Sequence, residues 1–124
     1  MKRLPDSELE LMMIIWDAGT AVTRGEIEAR LPHTRCLSAT TILTFLTRLQ
    51  EKGFVKVEKS GRSNVYEALI TREEYLQAES KSIWKRLYQG SVKNFMTALS
   101  AGEGLTDQDL SELQEFLDQK KGGR

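Results

Sequence analysis

Three features predict a mainly α-helical fold with one small β wing. First, Ser38 is placed to cap a helix on which Ile42, Phe45, Leu46 and Leu49 recur a turn apart, forming one apolar stripe. Second, Gly53 stops that helix, and two extended runs, Phe54 to Lys59 and Asn64 to Leu69, flank the turn Ser60-Gly61-Arg62-Ser63. Third, the chain beyond Thr71 carries only helical apolar patterns. This order is that of a winged helix-turn-helix domain, residues 1–70, followed by a helical region, residues 71–124.

The first helix is expected to open at the capping-box pair Ser7 and Glu10, with Asp6 as a competing cap. Leu9, Met12, Met13 and Trp16 share one face, and the helix should stop near Gly19. Thr23 and Glu26 form a second box, opening a short helix that buries Ile27 and Leu31 and ends at Pro32. The loop Pro32 to Leu37 leads into the helix at Ser38, and a short strand near Ala21-Val22 is positioned to join the hairpin. Past the wing, Thr71 with Glu74 caps a long amphipathic helix marked by Leu76, Ile83, Trp84, Leu87 and Tyr88. Gly90 interrupts it, Val92, Phe95, Met96 and Leu99 form another set, and Thr106 caps a last helix bearing Leu110, Leu113 and Leu117.

Little chain remains to cover these stripes. A second copy is the expected partner, giving a two-fold homodimer joined through Leu76, Ile83, Trp84, Leu87, Phe95, Leu99, Leu110, Leu113 and Leu117. The ending Lys120-Lys121-Gly122-Gly123-Arg124 is expected to fray.

The formal charge is zero, but its distribution is uneven. Between His33 and Tyr66 stand six bases (Arg35, Arg48, Lys52, Lys56, Lys59, Arg62) and two acids (Glu51, Glu58). From Glu103 to Gln119 there are six acids and no base, which read as a solvated helix face. A local basic surface is what contact with nucleic-acid phosphates requires; the chain total is not. One cysteine, Cys36, excludes an internal disulfide and any multi-cysteine metal site. His33 and Cys36 have a His-x-x-Cys spacing, but two ligands make an incomplete zinc site and the pair reads as ordinary loop. No signal peptide and no run long enough for a membrane span is present, so a soluble, cytoplasmic protein without membrane insertion is expected. The single histidine is isolated and no glycine-rich loop opens a helix, so neither a catalytic constellation nor a cofactor is expected.

The face of the Ser38 helix opposite its apolar stripe carries Thr40, Thr41, Thr44, Thr47 and Arg48. Hydroxyls and methyls on a helix buried along its other side are what a DNA major groove accepts. Thr41 and Thr44, one turn apart, are the candidates for base edges, since threonine is a mediocre helix former and four stand within eight positions. Thr40, Thr47 and Arg48 are assigned to phosphates. Leu43 is either a thymine-methyl reader or an edge of the core. Lys59 and Arg62 belong to the wing, with hairpin solubility as their bland reading and Arg62, beside Gly61, the better candidate for DNA. Lys56 faces outward with Glu58 and is as readily structural as functional. Trp16 reads as core and Trp84 as a dimer anchor.

Laid together, these residues resemble the penicillinase/methicillin-resistance repressor family, which also includes copper-responsive repressors. The resemblance rests on Asp6-Ser7-Glu8-Leu9-Glu10 leading to Ile15-Trp16, and on Thr41-Ile42-Leu43-Thr44-Phe45-Leu46-Thr47-Arg48-Leu49. It continues through Lys52-Gly53, Gly61-Arg62, Val65-Tyr66 and Tyr88-x-Gly90. It implies a homodimeric repressor on a palindromic operator with thymine-rich, TGTA-like half-sites, released by proteolysis under a membrane sensor or by metal. No cysteine cluster stands in the tail, which speaks against a copper switch. Leu37, Thr40 and Leu43 stand where the family often has Trp, Lys and Gln, which bears on operator preference rather than on the fold. Some members are cut at an Asn-Phe pair. Ungapped comparison from Tyr88-x-Gly90 puts Ala98-Leu99 at that place, with Asn94-Phe95 about one turn earlier, so the candidate cleavage region is Asn94 to Leu99.

Two other function classes remain open. A winged helix also serves as a protein-interaction module, which duplex-binding measurements would separate. A ligand-sensing regulator would hold its effector between the winged domain and the tail, which thermal shifts would reveal.

Overall fold

A computed structural model describes residues 1–32 and 37–122. His33, Arg35 and Cys36 lie outside the described residues, and so does the expectation attached to their spacing. The described chain divides into two compact units, Met1–Glu79 and Ser80–Arg124.

The first unit begins with α1 (Asp6–Ala18). Neither Ser7 nor Asp6 caps it: Pro5 is the N-cap, with extended backbone, and the Leu9 amide donates to its carbonyl at 2.9 Å. The predicted face is also displaced. Glu8, Leu11, Met12 and Ile15 are buried, while Leu9, Met13, Ile14 and Trp16 are only partly so. A helix apolar at every position from 11 to 16 does not specify its own rotation. Gly19, at φ 69°, closes it with a hydrogen bond from its amide to the Trp16 carbonyl.

The expected third strand is present as β1 (Val22–Thr23). Thr23 and Glu26 form the predicted box at the start of α2 (Arg24–Arg30), each side chain accepting from the other's backbone N–H at 3.1 Å. Ser38 caps α3 (Ala39–Glu51), accepting from the Thr41 amide. Gly53 at φ 81° then turns the chain into the wing, β2 (Val55–Ser60) and β3 (Ser63–Ala68), which pair antiparallel with β3 central in the order β1-β3-β2. Ser60 lies opposite Ser63, so Gly61-Arg62 is a two-residue loop; positive φ at Gly61 alone is the type II′ pattern, which suits the twist of a hairpin.

One core joins these pieces. Met12, Ile27, Ile42, Leu49 and Phe54 are fully buried there, with Val22 and Val55 from the sheet. Phe54, expected to start a strand, instead precedes β2 and sits at the centre of the core. The unit reaches past the wing because Tyr75 completes it. Its ring meets Trp16 at 5.9 Å and Phe54 at 5.7 Å, and its hydroxyl accepts the Leu4 N–H. Trp16 in turn donates its indole N–H to the Ile70 carbonyl at 2.8 Å.

Thr71 and Glu74 form a reciprocal box at the head of α4 (Arg72–Tyr88), which runs into the second unit. Ser91 caps α5 (Val92–Ser100), and Thr106 with Asp109 caps α6 (Asp107–Gly122). The last helix runs through Lys120, Lys121 and Gly122, where fraying was expected.

Candidate nucleic-acid interface

The candidate site is the outer face of α3 together with the wing. Ile42, Leu46 and Leu49 are buried; Thr40, Leu43, Thr44, Thr47 and Arg48 are exposed. Leu43, 42% exposed, belongs to this face and not to the core. The hydroxyls are not all free to read a base. Thr41 is only half-exposed, and its hydroxyl lies 2.9 Å from that of Ser38 within the helix cap. Its place beside the cap sets it apart from the exposed pairing predicted with Thr44.

Thr44 donates its hydroxyl to the Thr40 carbonyl at 3.0 Å, and Thr47 donates to Leu43 at 2.9 Å. These back-bonds to the preceding turn use the hydroxyl proton. What each threonine presents outward is an acceptor oxygen and a methyl. Arg48 lies over the Phe45 ring at 5.9 Å from its centroid, which holds the guanidinium against the helix while leaving it exposed.

In the wing, Lys59 and Arg62 are exposed, on either side of the Gly61 turn. Lys56 is engaged otherwise: its ammonium lies 3.1 Å from Glu67 and 3.2 Å from Glu58. Hydrogen bonds to Glu67 and then Glu58 hold its pKa above the ordinary lysine value. It is a member of a sheet-surface ion cluster.

Sequence reasoning missed the cleft beside this face. Thr23, Arg24 and Gly25 of the β1–α2 corner, Leu43 of α3, and Ser63, Asn64 and Tyr66 of β3 line an open cleft of about 320 Å³. The one signal for it was Gly25, a glycine inside the first turn of a helix. A separate cleft of about 360 Å³ lies on the first unit between Trp16, Ala68, Ile70 and Arg72. Among the described residues no His/Cys/Asp/Glu group is arranged to hold a metal, and no helix is long and apolar enough to cross a membrane.

The residues assigned to dimerisation fall differently. Leu76 is exposed in the first unit, and Leu87, Leu99, Leu110 and Leu117 are exposed in the second. Ile83, Trp84 and Leu113 are half-buried, and Phe95 is half-buried with its ring 5.0 Å from Tyr88. Val92 and Phe116, also exposed, belong to the same apolar population but were left out of the predicted interface. Asn94 and Ala98 are exposed on α5.

The profile of the penicillinase repressor family matches residues 4–119. The chain belongs to that family. A penicillinase repressor of Bacillus licheniformis is 32% identical over 124 residues, covering 98% of this chain and 96% of that protein. The methicillin resistance regulatory protein MecI of Mammaliicoccus sciuri is 28% identical over 117 residues, covering 94% of each. A solved structure of the monomeric form of Bacillus licheniformis BlaI, in complex with the blaP half-operator, matches with TM-score 0.50 and 35% identity. It covers 60% of this chain and 89% of that one. The family relatives are regulators, not enzymes.

Proposed function

We infer that this family member is a transcriptional repressor that binds duplex operator DNA as a homodimer, with α3 in the major groove and the β2–β3 wing against the backbone. The observation that carries the reading is the two-sided character of α3. One face is sealed in the core, while the other presents Leu43, Thr44, Thr47 and Arg48 beside an exposed basic wing. The half-operator complex of the BlaI relative supports it. The names of the relatives make antibiotic-resistance genes the first targets to examine.

Neither α5 nor α6 contains a buried residue, and Leu87, Val92, Leu99, Leu110, Phe116 and Leu117 remain exposed. A second copy that covers them links two half-site readers, which raises affinity without any new DNA contact. Release by a membrane sensor protease, cutting the cytoplasmic repressor between Asn94 and Leu99, would detach α6 and weaken that linkage. Because these residues are helical, cutting requires local opening first.

Titrating the full chain against duplex DNA over a salt series tests the reading. Affinity should fall steeply with salt, and Arg48→Ala should reduce the slope by about 0.9 if it neutralises one phosphate. Absence of duplex binding at low salt would favour the protein-interaction module instead. Mass spectrometry of the repressor from induced cells tests the release step; intact chain throughout induction would mean another route.

A further inference from the structure

Helix α4 is anchored to the winged domain by one buried side chain. Of its 17 residues, Tyr75 alone is buried. The Tyr75 ring packs on Trp16 and Phe54, but its hydroxyl reaches the chain that precedes α1. The Leu4 N–H donates to that hydroxyl at 2.9 Å, and the hydroxyl in turn points to Glu79 Oε2, one turn further along α4, at 3.4 Å. Arg3 Nε stands 3.7 Å from the other oxygen of the Glu79 carboxylate. Leu4 is 4% exposed and Pro5 is the N-cap of α1. The opening residues of a domain fray unless something ties them down, and here α4 does so.

The other end of α1 is joined to the start of the same helix. Trp16 donates its indole N–H to the carbonyl of Ile70, and Arg72 donates to Asp17. These ties fix where α4 begins. Those made by Tyr75 and Glu79, one and two turns later, fix which way it points. The Arg3–Glu79 pair is open to solvent on the arginine side and adds little by itself, so the Tyr75 hydroxyl is the stronger hold. The helix then continues unbroken to Tyr88, past the end of the first unit at Glu79. From Tyr75 to Tyr88 it runs about 20 Å. A swing of about 10° at Tyr75 would carry its far end by about 3.4 Å, one base-pair step.

We propose that residues 1–5 form a strap that sets the direction in which α4 leaves the winged domain, with Tyr75 as the positioning residue, and that this direction selects the separation between the two half-sites of the operator. This rests on the homodimeric DNA-binding reading. It assigns half-site spacing to residues that lie away from the DNA-facing side of α3 and from the wing tip. A looser strap leaves each winged domain able to read its own half-site and widens the range of separations that a pair of them accepts.

The experiment uses the full chain as wild type, Tyr75→Phe and Arg3→Ala/Glu79→Ala. Each enriches a pool of randomised duplexes, and the enriched sequences are read for the separation between paired half-sites. Wild type should return pairs at a single separation. Tyr75→Phe keeps the ring and loses the hydroxyl, so it should melt about 4–8 °C lower. It should bind a duplex with one enriched half-site within about twofold of wild type, yet return pairs at about three separations or more. Arg3→Ala/Glu79→Ala should melt close to wild type and broaden the range less. If Tyr75→Phe returns the wild-type separation alone, the strap proposal falls and the DNA reading stands. If that variant does not fold, an unchanged separation in Arg3→Ala/Glu79→Ala overturns the proposal instead. Equal losses of single-site and paired-site affinity in Tyr75→Phe would show a merely structural residue and also overturn it, as would a wild type that accepts several separations. Enrichment of unpaired half-sites by wild type removes the homodimer reading together with the strap, and enrichment of no sequence removes the DNA reading itself.

Discussion

Lys52 donates its ammonium to Glu8 at 2.5 Å, joining the C-cap of α3 to the first turn of α1. The Glu8 side chain is 3% exposed and that of Lys52 is 21% exposed. The pair therefore fixes the helix that faces outward against the helix that backs it. Removing one partner of a buried pair leaves the other charge without compensation. Lys52→Met should cost about 2 kcal/mol in chemical denaturation, at the low side because Lys52 is partly wet. The double variant Glu8→Leu/Lys52→Met should recover most of the loss. Equal destabilisation in the single and double variants would show that the carboxylate is not the source.

Thr44 gives a second test. Its hydroxyl proton is engaged by the Thr40 carbonyl, so the methyl and the acceptor oxygen are what remain for DNA. If the methyl packs on a thymine, Thr44→Val should keep operator discrimination and Thr44→Ser should lose about 1 kcal/mol of it. Uracil substituted for thymine in the half-site should reproduce the loss on wild type. The opposite ranking of Val and Ser would assign the contact to the oxygen.

Tyr75 gives a pH dependence at the alkaline end. Burial raises its pKa above the ordinary tyrosine value of 10.0, outweighing the Leu4 N–H that favours the phenolate. The neutral phenol is thus favoured in the folded state, and its contribution is complete below about pH 10 and lost as pH rises through the folded-state value. Phenolate absorbance and helical signal should change together above pH 10, while in Tyr75→Phe the unfolding step should move to higher pH. An unshifted step in that variant would place the alkaline transition elsewhere.

The length of the autonomous unit is a fourth test. Residues 1–79 should fold and remain monomeric, whereas residues 1–70 lack Tyr75 and its ring contacts with Trp16 and Phe54. Loss of a buried aromatic costs about 3–5 kcal/mol, so the shorter fragment should melt well below the longer one. Sedimentation and thermal unfolding of both fragments, beside the full chain, would check this. A shorter fragment as stable as the longer would make Tyr75 dispensable.

What the amino-acid sequence determined by itself was local. The helix starts at Thr23, Ser38, Thr71 and Thr106 are written within three or four residues of themselves, because a cap is a hydrogen bond to the next turn. The hairpin was legible from Gly61 and the extended runs on either side, since a two-residue loop fixes the register of its strands. The outward face of α3 was legible because its apolar residues recur with the helical period.

The tertiary structure decided what depended on distant partners. The rotation of α1 is set by a core apolar enough to accept several faces and by Lys52, 44 residues away, which makes a buried Glu8 tolerable. The cleft at Gly25 exists only because β3 returns beside α2, a juxtaposition with no local signature beyond one unexplained glycine. Thr41 and Thr44 have the same side chain on the same helix, yet one lies against the cap and the other is exposed. Periodicity identifies a face; only the placement of neighbouring atoms decides which groups on it are free to act.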